Sequence, residues 1–165
     1  MKHQTGFTLI ELLIVVALIL IIAAITIPSL TAAKINADEA SAAASIRAIN
    51  TAEVSYQAAY GGYAESLANL GGAEPCTKSA ATACLLDQSL AGGMKSGYNF
   101  AAVGGNPANG MSTSYVAGAA PVVFDRTGRR LFCSTDRNVI RVDLNVGGST
   151  TPPDGVQCAG FKALQ

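Results

Sequence analysis

A long apolar run near the N-terminus constrains this chain more than any other feature. The segment from Phe7 to Ile27 reads FTLIELLIVVALILIIAAITI, and only Thr8, Glu11 and Thr26 bring polar side chains into it. As a helix it would extend roughly 31 Å, at about 1.5 Å per residue. That length is close to the thickness of a bilayer core. We therefore expect a single membrane-spanning helix.

The leader ahead of this run differs from an ordinary secretory signal. Residues 1–6 read MKHQTG, a short polar and basic stretch that ends at Gly6. An ordinary signal has a shorter apolar stretch that is followed by a small-residue cleavage site. Here the apolar run continues past the small pair Ala23 and Ala24. A plain transmembrane anchor and an ordinary signal peptide remain the simpler interpretations of the run.

Glu11 places a carboxylate inside the apolar run. A charged side chain at the centre of a membrane helix costs roughly 2.5 to 3.5 kcal/mol, and less near the helix end. Snorkelling to the interface is one explanation. A cationic partner is the other, because cleavage before Phe7 would create an ammonium group four residues away. Pairing of that ammonium with Glu11 of a neighbouring chain would fix the axial offset between parallel helices.

The string Gly6-Phe7-Thr8-Leu9-Ile10-Glu11, followed by LLIVV, resembles the processing site of the type IV pilin and type II secretion pseudopilin superfamily. The resemblance implies that a membrane prepilin peptidase cuts after Gly6 and methylates Phe7, the new N-terminus. It also implies that Glu11 is the assembly glutamate. The match is tight over about the first 30 residues and looser to Tyr60.

Pro28 corresponds to the helix-kinking proline of the same family. It removes the hydrogen bond to the carbonyl of Ala24 and crowds that carbonyl. Either a simple kink at the membrane exit or unwinding specific to a filament would follow. The family often has a mid-helix glycine, but Leu20 stands there in this chain, so any unwinding would depend on Pro28.

The segment from Ser29 to Tyr60 predicts an amphipathic continuation of the helix. It lacks proline and glycine and is rich in alanine, a strong helix former. Gly61-Gly62 should end the helix. An apolar stripe at helical spacing should pack against a globular head; its members are Ala42, Ile46, Ile49, Tyr56 and Tyr60.

Beyond Gly61 the composition shifts toward glycine, serine, threonine and asparagine. Short strands separated by turn clusters are expected there, forming a small antiparallel β-sheet on the amphipathic half of the helix, so the fold class is α+β. The region from Gly104 to Asn109 is expected to be a loop. The expected strands are 99–103, 114–117, 122–124, 130–133 and 139–142.

The cysteine count favours disulfides over a metal site. The 4 cysteines include no Cys-x-x-Cys pair, and the only histidine is His3. Paired cysteines imply an oxidising compartment outside the cytoplasm. We expect one bridge between Cys133 and Cys158 and another between Cys76 and Cys84, although spacing leaves the two other connectivities open. The larger loop resembles the C-terminal disulfide loop of many type IV pilins.

The sequence favours neither an enzyme nor a cofactor protein. Cleavage after Gly6 would remove His3, so a mature chain would lack histidine for a nucleophilic triad. No phosphate-binding glycine loop is present. Calcium, as in the major pseudopilins, would need oxygen ligands at a suitable spacing. We expect no metal site, because no such spacing connects the candidate aspartates Asp125, Asp136, Asp143 and Asp154.

Arginines cluster in the C-terminal third of the chain and could form a patch for DNA. Aspartates are interleaved with them, and the formal net charge is +0. Binding of nucleic acid is therefore possible but unsupported, and ordinary exposed hairpin charges explain the cluster equally well. The arginines are Arg126, Arg129, Arg130, Arg137 and Arg141.

We therefore expect a structural subunit that polymerises into a type IV pilus filament through its N-terminal helices, with the assembly machinery as a further partner. The expected organisation is a leader at 1–6, a transmembrane and polymerisation helix at 7–28, an amphipathic helix at 29–60 and a globular head at 61–165. The subunit would wait in the inner membrane with its head in the periplasm and end in a surface filament. A pseudopilin, a minor pilin with a tip or DNA-uptake role, and an anchored binding module that never polymerises are the alternatives.

Overall fold

The computed structural model describes residues 7–164 of the chain. The chain divides into two compact units, with the boundary between Lys34 and Ile35. Helix α1 runs from Leu9 to Tyr60 and contributes residues to both.

The first unit is helical, and its large apolar side chains are exposed. Leu9 is 82% exposed and Ile25 is 70% exposed, so the apolar run is covered by nothing within the described part of the chain. By length and composition, α1 is the one helix among residues 7–164 that is suited to cross a membrane.

In the second unit, α1 buries one face and ends where the sequence predicts. Ile46 and Ile49 are fully buried, and Tyr56 is nearly so. The helix stops at Tyr60, and Gly61 follows with a φ of 85° while its N–H donates to the carbonyl of Gln57. A positive φ is easy for glycine because it has no Cβ. The amphipathic helix and its C-terminal glycine are thus confirmed.

Within residues 7–164, six antiparallel strands form a single sheet in sequential order. The hairpin of β2 and β3 contains the longest strands, with Tyr98 paired to Pro121 at one end and Ala108 to Met111 at the other. The strands are β1 Met94–Lys95, β2 Tyr98–Ala108, β3 Met111–Pro121, β4 Leu131–Thr135, β5 Arg141–Asp143 and β6 Lys162–Ala163. The described part of this unit also contains three short helices: α2 Leu67–Leu70, α3 Gln88–Ala91 and α4 Gly155–Gly160.

The sheet and the buried face of α1 share one core. Ile46 and Ile49 of the helix belong to the same apolar cluster as Phe100 of β2 and Phe132 of β4. Apolar surface removed from water in this way is the main stabilising contribution to a small domain. The predicted α+β class, a long N-terminal helix on an antiparallel sheet, is confirmed.

The predicted loop from Gly104 to Asn109 is wrong, because β2 continues through it to Ala108. The reversal is instead made by Asn109 and Gly110, whose φ angles are 53° and 78°. Two positive φ angles are the signature of the tight hairpin turn that Asn-Gly favours. This dipeptide was the available signal, and the glycine-rich composition around Pro107 obscured it.

The predicted strand at 122–124 is also wrong. Beyond Pro121 the chain bends, and the backbone of Val123 bonds to Thr127 rather than to a neighbouring strand. The Val123 N–H donates to the Thr127 hydroxyl at 3.1 Å, and the Thr127 N–H donates back to the Val123 carbonyl at 3.0 Å. Asp125, at the tip of this local turn, has a φ of 63°. A run of apolar β-formers therefore became a turn because a nearby side chain offered its backbone another partner.

Two disulfides join the pairs that were expected. Cys76 bonds to Cys84, closing a separation of 8 residues, which we call the small-loop disulfide. Cys133 bonds to Cys158 over 25 residues, which we call the large-loop disulfide. Both cysteines of the large-loop disulfide are fully buried, whereas both cysteines of the small-loop disulfide are half-buried.

Candidate functional site: the N-terminal segment and its carboxylate

The first turn of α1 holds Glu11 in place from within the chain. The carbonyl of Thr8 accepts the N–H of Glu11 at 3.2 Å and that of Leu12 at 3.3 Å. The hydroxyl of Thr8 donates to Oε2 of Glu11 at 3.3 Å. Thr8 thus precedes the helix with Glu11 three residues later, which is the spacing of a capping box. A carboxylate in the first turn is also favoured by the helix dipole.

This local arrangement explains part of why a carboxylate can stand in an apolar segment. A single neutral hydroxyl, however, satisfies only one of the acceptor positions of Glu11, which as a carboxylate has about four. The side chain keeps capacity for a cationic partner. Phe7, whose amine would be that partner after cleavage, is 79% exposed. Gly6 lies outside the described residues, so cleavage between Gly6 and Phe7 stays a prediction.

One face of the N-terminal segment carries an open apolar groove. Its side chains recur at spacings of three and four, which is the pattern of a helix face that packs against another helix. The lining residues are Leu9, Leu12, Leu13, Val16, Ala17 and Leu20.

Pro28 lies inside α1, and the helix is continuous through it. Hydroxyl side chains on either side bond to backbone carbonyls: Thr26 donates to Ile22 at 3.1 Å, and Thr31 donates to Ile27 at 3.2 Å. The proline still leaves the carbonyl of Ala24 without its helical donor. Unwinding at Pro28 therefore stays a prediction for the assembled state.

An ion pair between a buried carboxylate and a partly exposed arginine in the second unit was not foreseen from the sequence. Glu39 is 3% exposed, and its carboxylate accepts the backbone N–H of Arg129 at 2.8 Å and Nε of Arg130 at 2.6 Å. The pair ties α1 to the segment before β4. Glu39 falls seven residues before the buried Ile46, so its position on the buried face was readable from helical spacing.

Glu53 is a second carboxyl on the same buried face. It is 0% exposed, and its Oε2 accepts the N–H of Ala64 at 3.0 Å. Its Oε1 has no hydrogen-bond partner among residues 7–164. Burial raises the pKa of Glu53 to about 7, and the Ala64 hydrogen bond opposes that rise. A group so placed is protonated over much of the acidic range.

A polar network also crosses the core. The amide of Asn50 donates to the hydroxyl of Ser134 at 2.9 Å and accepts from the Tyr115 hydroxyl at 3.0 Å. The Tyr115 hydroxyl also lies 2.9 Å from Oδ1 of Asn138. Buried polar groups that are satisfied in this way hold one arrangement of helix and sheet against others.

Three of the four aspartates considered as calcium ligands serve local structure. Asp125 pairs with Arg129, Asp143 accepts the N–H of Asn145 at 2.7 Å, and Asp154 caps α4. Within residues 7–164 no group of three or more His, Cys, Asp or Glu residues is arranged to hold a metal ion.

The arginine cluster is partly engaged within the chain. Arg129 pairs with Asp125, Arg130 pairs with Glu39, and Arg141 donates to the carbonyl of Phe161 at 3.1 Å. These contacts support the interpretation of the arginines as hairpin charges. Binding of nucleic acid stays an untested alternative without support.

Comparison with known proteins adds one finding to this geometry. A family model described as "Prokaryotic N-terminal methylation motif" matches residues 1–27. No curated protein and no solved structure matches the chain. The matched segment includes Phe7 and Glu11 and extends along the exposed apolar part of α1. The methylation motif, the long N-terminal helix behind it and the disulfide-stapled antiparallel sheet together give this chain the features of a type IV pilin-like protein.

Proposed function

We propose that this protein is the structural subunit of a type IV pilus filament, formed after cleavage behind Gly6 and N-methylation of Phe7. The observation that carries the proposal is the methylation motif at 1–27 leading into an apolar helix whose side chains are exposed. In this proposal residues 1–6 are the leader, 7–28 the transmembrane and polymerisation helix, 29–60 the amphipathic helix and 61–165 the head.

The exposed apolar segment supports polymerisation, because its side chains must be shielded from water both inside the membrane and after the segment leaves it. In the membrane, lipid covers it at no cost. Once the segment leaves the membrane, side chains such as Leu12 and Ile19 would face water, and each would forgo roughly 1.5 to 3 kcal/mol of burial energy. Packing against parallel copies of the same segment removes that cost. The groove from Leu9 to Leu20 supplies a face with the appropriate spacing.

Glu11 sets the register of this packing in our proposal. The free ammonium of Phe7 in one subunit pairs with Glu11 of a neighbour, and each relieves the other of an unpaired charge in an apolar interface. Breaking such a pair by removing one partner costs about 3 to 5 kcal/mol when both are buried. A helix shifted along its axis would lose the pair, so one offset is selected.

A Glu11→Val variant tests the register role. We expect it to be cleaved and methylated but to be missing from filaments, because the peptidase site is intact and the ion pair is lost. Thr8→Val is the matched control, since it removes only the intrachain hydrogen bond at Glu11. The readouts are intact mass of the membrane pool and the amount of subunit in sheared material. Normal filament yield from Glu11→Val would refute the register role.

Intact mass spectrometry of material sheared from native cells tests the function as a whole. We expect a mass that begins at Phe7, with one added methyl and four hydrogens missing for two disulfides. If the chain is found only in membranes and still carries residues 1–6, it is a membrane-anchored module that does not polymerise.

The motif at 1–27 is also compatible with the other pilin-like roles. A type II secretion pseudopilin would show a head whose stability falls when calcium is chelated. A minor pilin would be present in sheared filaments at a small fraction of the major subunit. Chelation and subunit counting therefore separate these roles from the major pilin.

A further inference from the structure

The second unit contains an aromatic cleft that the proposed filament role does not use. It lies where the end of α1 meets the loop before α2 and the tip of the β2–β3 hairpin. Its volume is about 380 Å³, at the lower end of the range of small-molecule sites. Its principal lining residues are Tyr56, Tyr60, Tyr63, Glu65 and Met111. We call these residues the tyrosine cleft.

Contacts with one another and with neighbouring groups hold the three rings in place. The rings of Tyr56 and Tyr60 are tilted against each other with centroids 4.6 Å apart. Tyr63 packs in the same way on Tyr115, at 4.9 Å. The Tyr56 hydroxyl donates to the carbonyl of Ala80 at 2.7 Å. Rings that are fixed in this way lose little conformational freedom when a ligand binds, so the cleft is preorganised.

The charged side chain around the cleft is negative. Glu65 lines it and is exposed. The pKa of Tyr56 is raised chiefly by burial. Tyr60 and the carboxyl groups of Glu53 and Glu65 raise it further, by smaller amounts. No lysine or arginine is among the residues that the structure places around this cavity. Aromatic faces attract cations through their quadrupole, and a nearby carboxylate adds a Coulombic attraction.

We propose that the tyrosine cleft binds a small organic cation that carries an alkylated ammonium group. The rings of Tyr60 and Tyr63 contact its methyl groups, and Glu65 balances its charge at the mouth. Met111 supplies an adaptable apolar wall. A neutral molecule of the same shape would gain the apolar contacts but not the two attractions that depend on charge.

Choline is a suitable probe, with its carbon analogue 3,3-dimethylbutan-1-ol as the neutral isostere. The full-length chain in maltoside micelles is titrated with each, and binding is followed by the ligand's methyl resonances. Intrinsic fluorescence gives the location, because the chain has 5 tyrosines and 0 tryptophans and three of those tyrosines line the cleft. We expect saturable binding of choline, a change in tyrosine fluorescence, and weaker binding of the isostere.

Variants assign the binding to the cleft. Tyr60→Leu should weaken choline binding by about twofold to thirtyfold, whereas Tyr60→Phe keeps the ring and should bind as the wild type. Glu65→Gln should weaken binding by up to about fivefold, with a smaller effect at high salt. Glu74→Gln removes an exposed carboxylate outside the cleft and should change nothing.

Three results would overturn the proposal. Choline and its isostere would bind equally if the cleft were only an apolar groove. Wild-type affinity in both Tyr60→Leu and Glu65→Gln would place the binding elsewhere. Failure to saturate would mean that no site exists. None of these results bears on filament formation, which is measured in sheared material.

Discussion

Replacing Glu53 with glutamine should remove much of the pH dependence of this protein's stability between about pH 4.5 and 7. Glu53 is fully buried on α1, with one backbone N–H as partner. The titratable groups that feel its charge from neighbouring positions are Tyr56 on the same helix and Tyr115 on β3. Neither is a cation, so nothing in that set stabilises the ionised carboxylate.

The sign follows from the direction of the pKa change. The pKa of Glu53 is 4.5 when it is solvated and about 7 in the folded protein, because burial disfavours the charged form. Between these values the unfolded chain releases a proton that the folded chain keeps. The contribution of Glu53 to the free energy of unfolding is therefore fully present below pH 4.5 and is lost as the pH rises through 7. At about 1.36 kcal/mol for each pKa unit, the loss is about 3 kcal/mol.

The measurement is the free energy of unfolding by denaturant at several pH values from 4 to 8, with the full-length chain in maltoside micelles. Other groups also titrate, so the quantity of interest is the difference between Glu53→Gln and the wild type. We expect the free energy of unfolding of the variant to rise by about 3 kcal/mol relative to that of the wild type as the pH is raised from 4.5 to 7.5. Glutamine stays neutral and keeps an oxygen for the Ala64 N–H, so the fold is preserved.

Glu74→Gln is the matched control, because Glu74 is exposed and its charge is solvated in both states. Its pH profile should follow that of the wild type. If Glu53→Gln and the wild type lose stability in parallel across this pH range, Glu53 is ionised in the folded protein and the reasoning from burial is refuted.

Three further changes test contacts in the second unit. Gly128→Ala should lower the free energy of unfolding by about 1 to 3 kcal/mol, because its Cβ would overlap the hydroxyl and ring of the fully buried Tyr98. Glu39→Gln should cost about 1 to 3 kcal/mol in the same assay, because it removes a buried carboxylate from a partly exposed arginine. Under native conditions dithiothreitol should reduce the small-loop disulfide before the large-loop disulfide, measured by thiol alkylation and peptide mass, because the latter's sulfurs are buried.

The two substitutions each have a control variant in the same chain. Gly147→Ala meets nothing within 4 Å and should be neutral, so equal losses at both glycines would contradict the overlap argument. Asp125→Asn breaks an exposed ion pair and should cost less than about 1 kcal/mol. A loss as large as that from Glu39→Gln would show that burial is not what matters. Simultaneous reduction of both disulfides would contradict the argument from access.

The fold was predictable where a local pattern carried the information. The apolar stripe with Ile46 and Ile49, followed by Gly61, determined the buried face and the end of α1. The alternation of short apolar runs and turn residues predicted an antiparallel sheet. The same local reasoning failed at Asn109-Gly110, where glycine-rich composition hid a hairpin, and at Val123, where the Thr127 side chain diverted the backbone into a turn.

The sequence by itself determined the N-terminal segment of this protein. An apolar run of bilayer length, the glycine-phenylalanine junction and Glu11 are local features, and their meaning depends on spacing along one helix. The family match at 1–27 rests on the same residues. A helix in lipid makes its backbone hydrogen bonds within its own segment. Such a helix can therefore be recognised from its own sequence, without information on the rest of the fold.

Only the tertiary structure decided the chemistry of the head. Glu39 and Glu53 have the same side chain and the same helix face, yet one is paired with Arg130 and the other is left with an unpartnered oxygen. Tyr60 and Glu65 lie on either side of a helix end and become the walls of one cleft. These roles come from residues brought together across many positions of the chain, because burial and electrostatics depend on distance in space and not on distance in sequence.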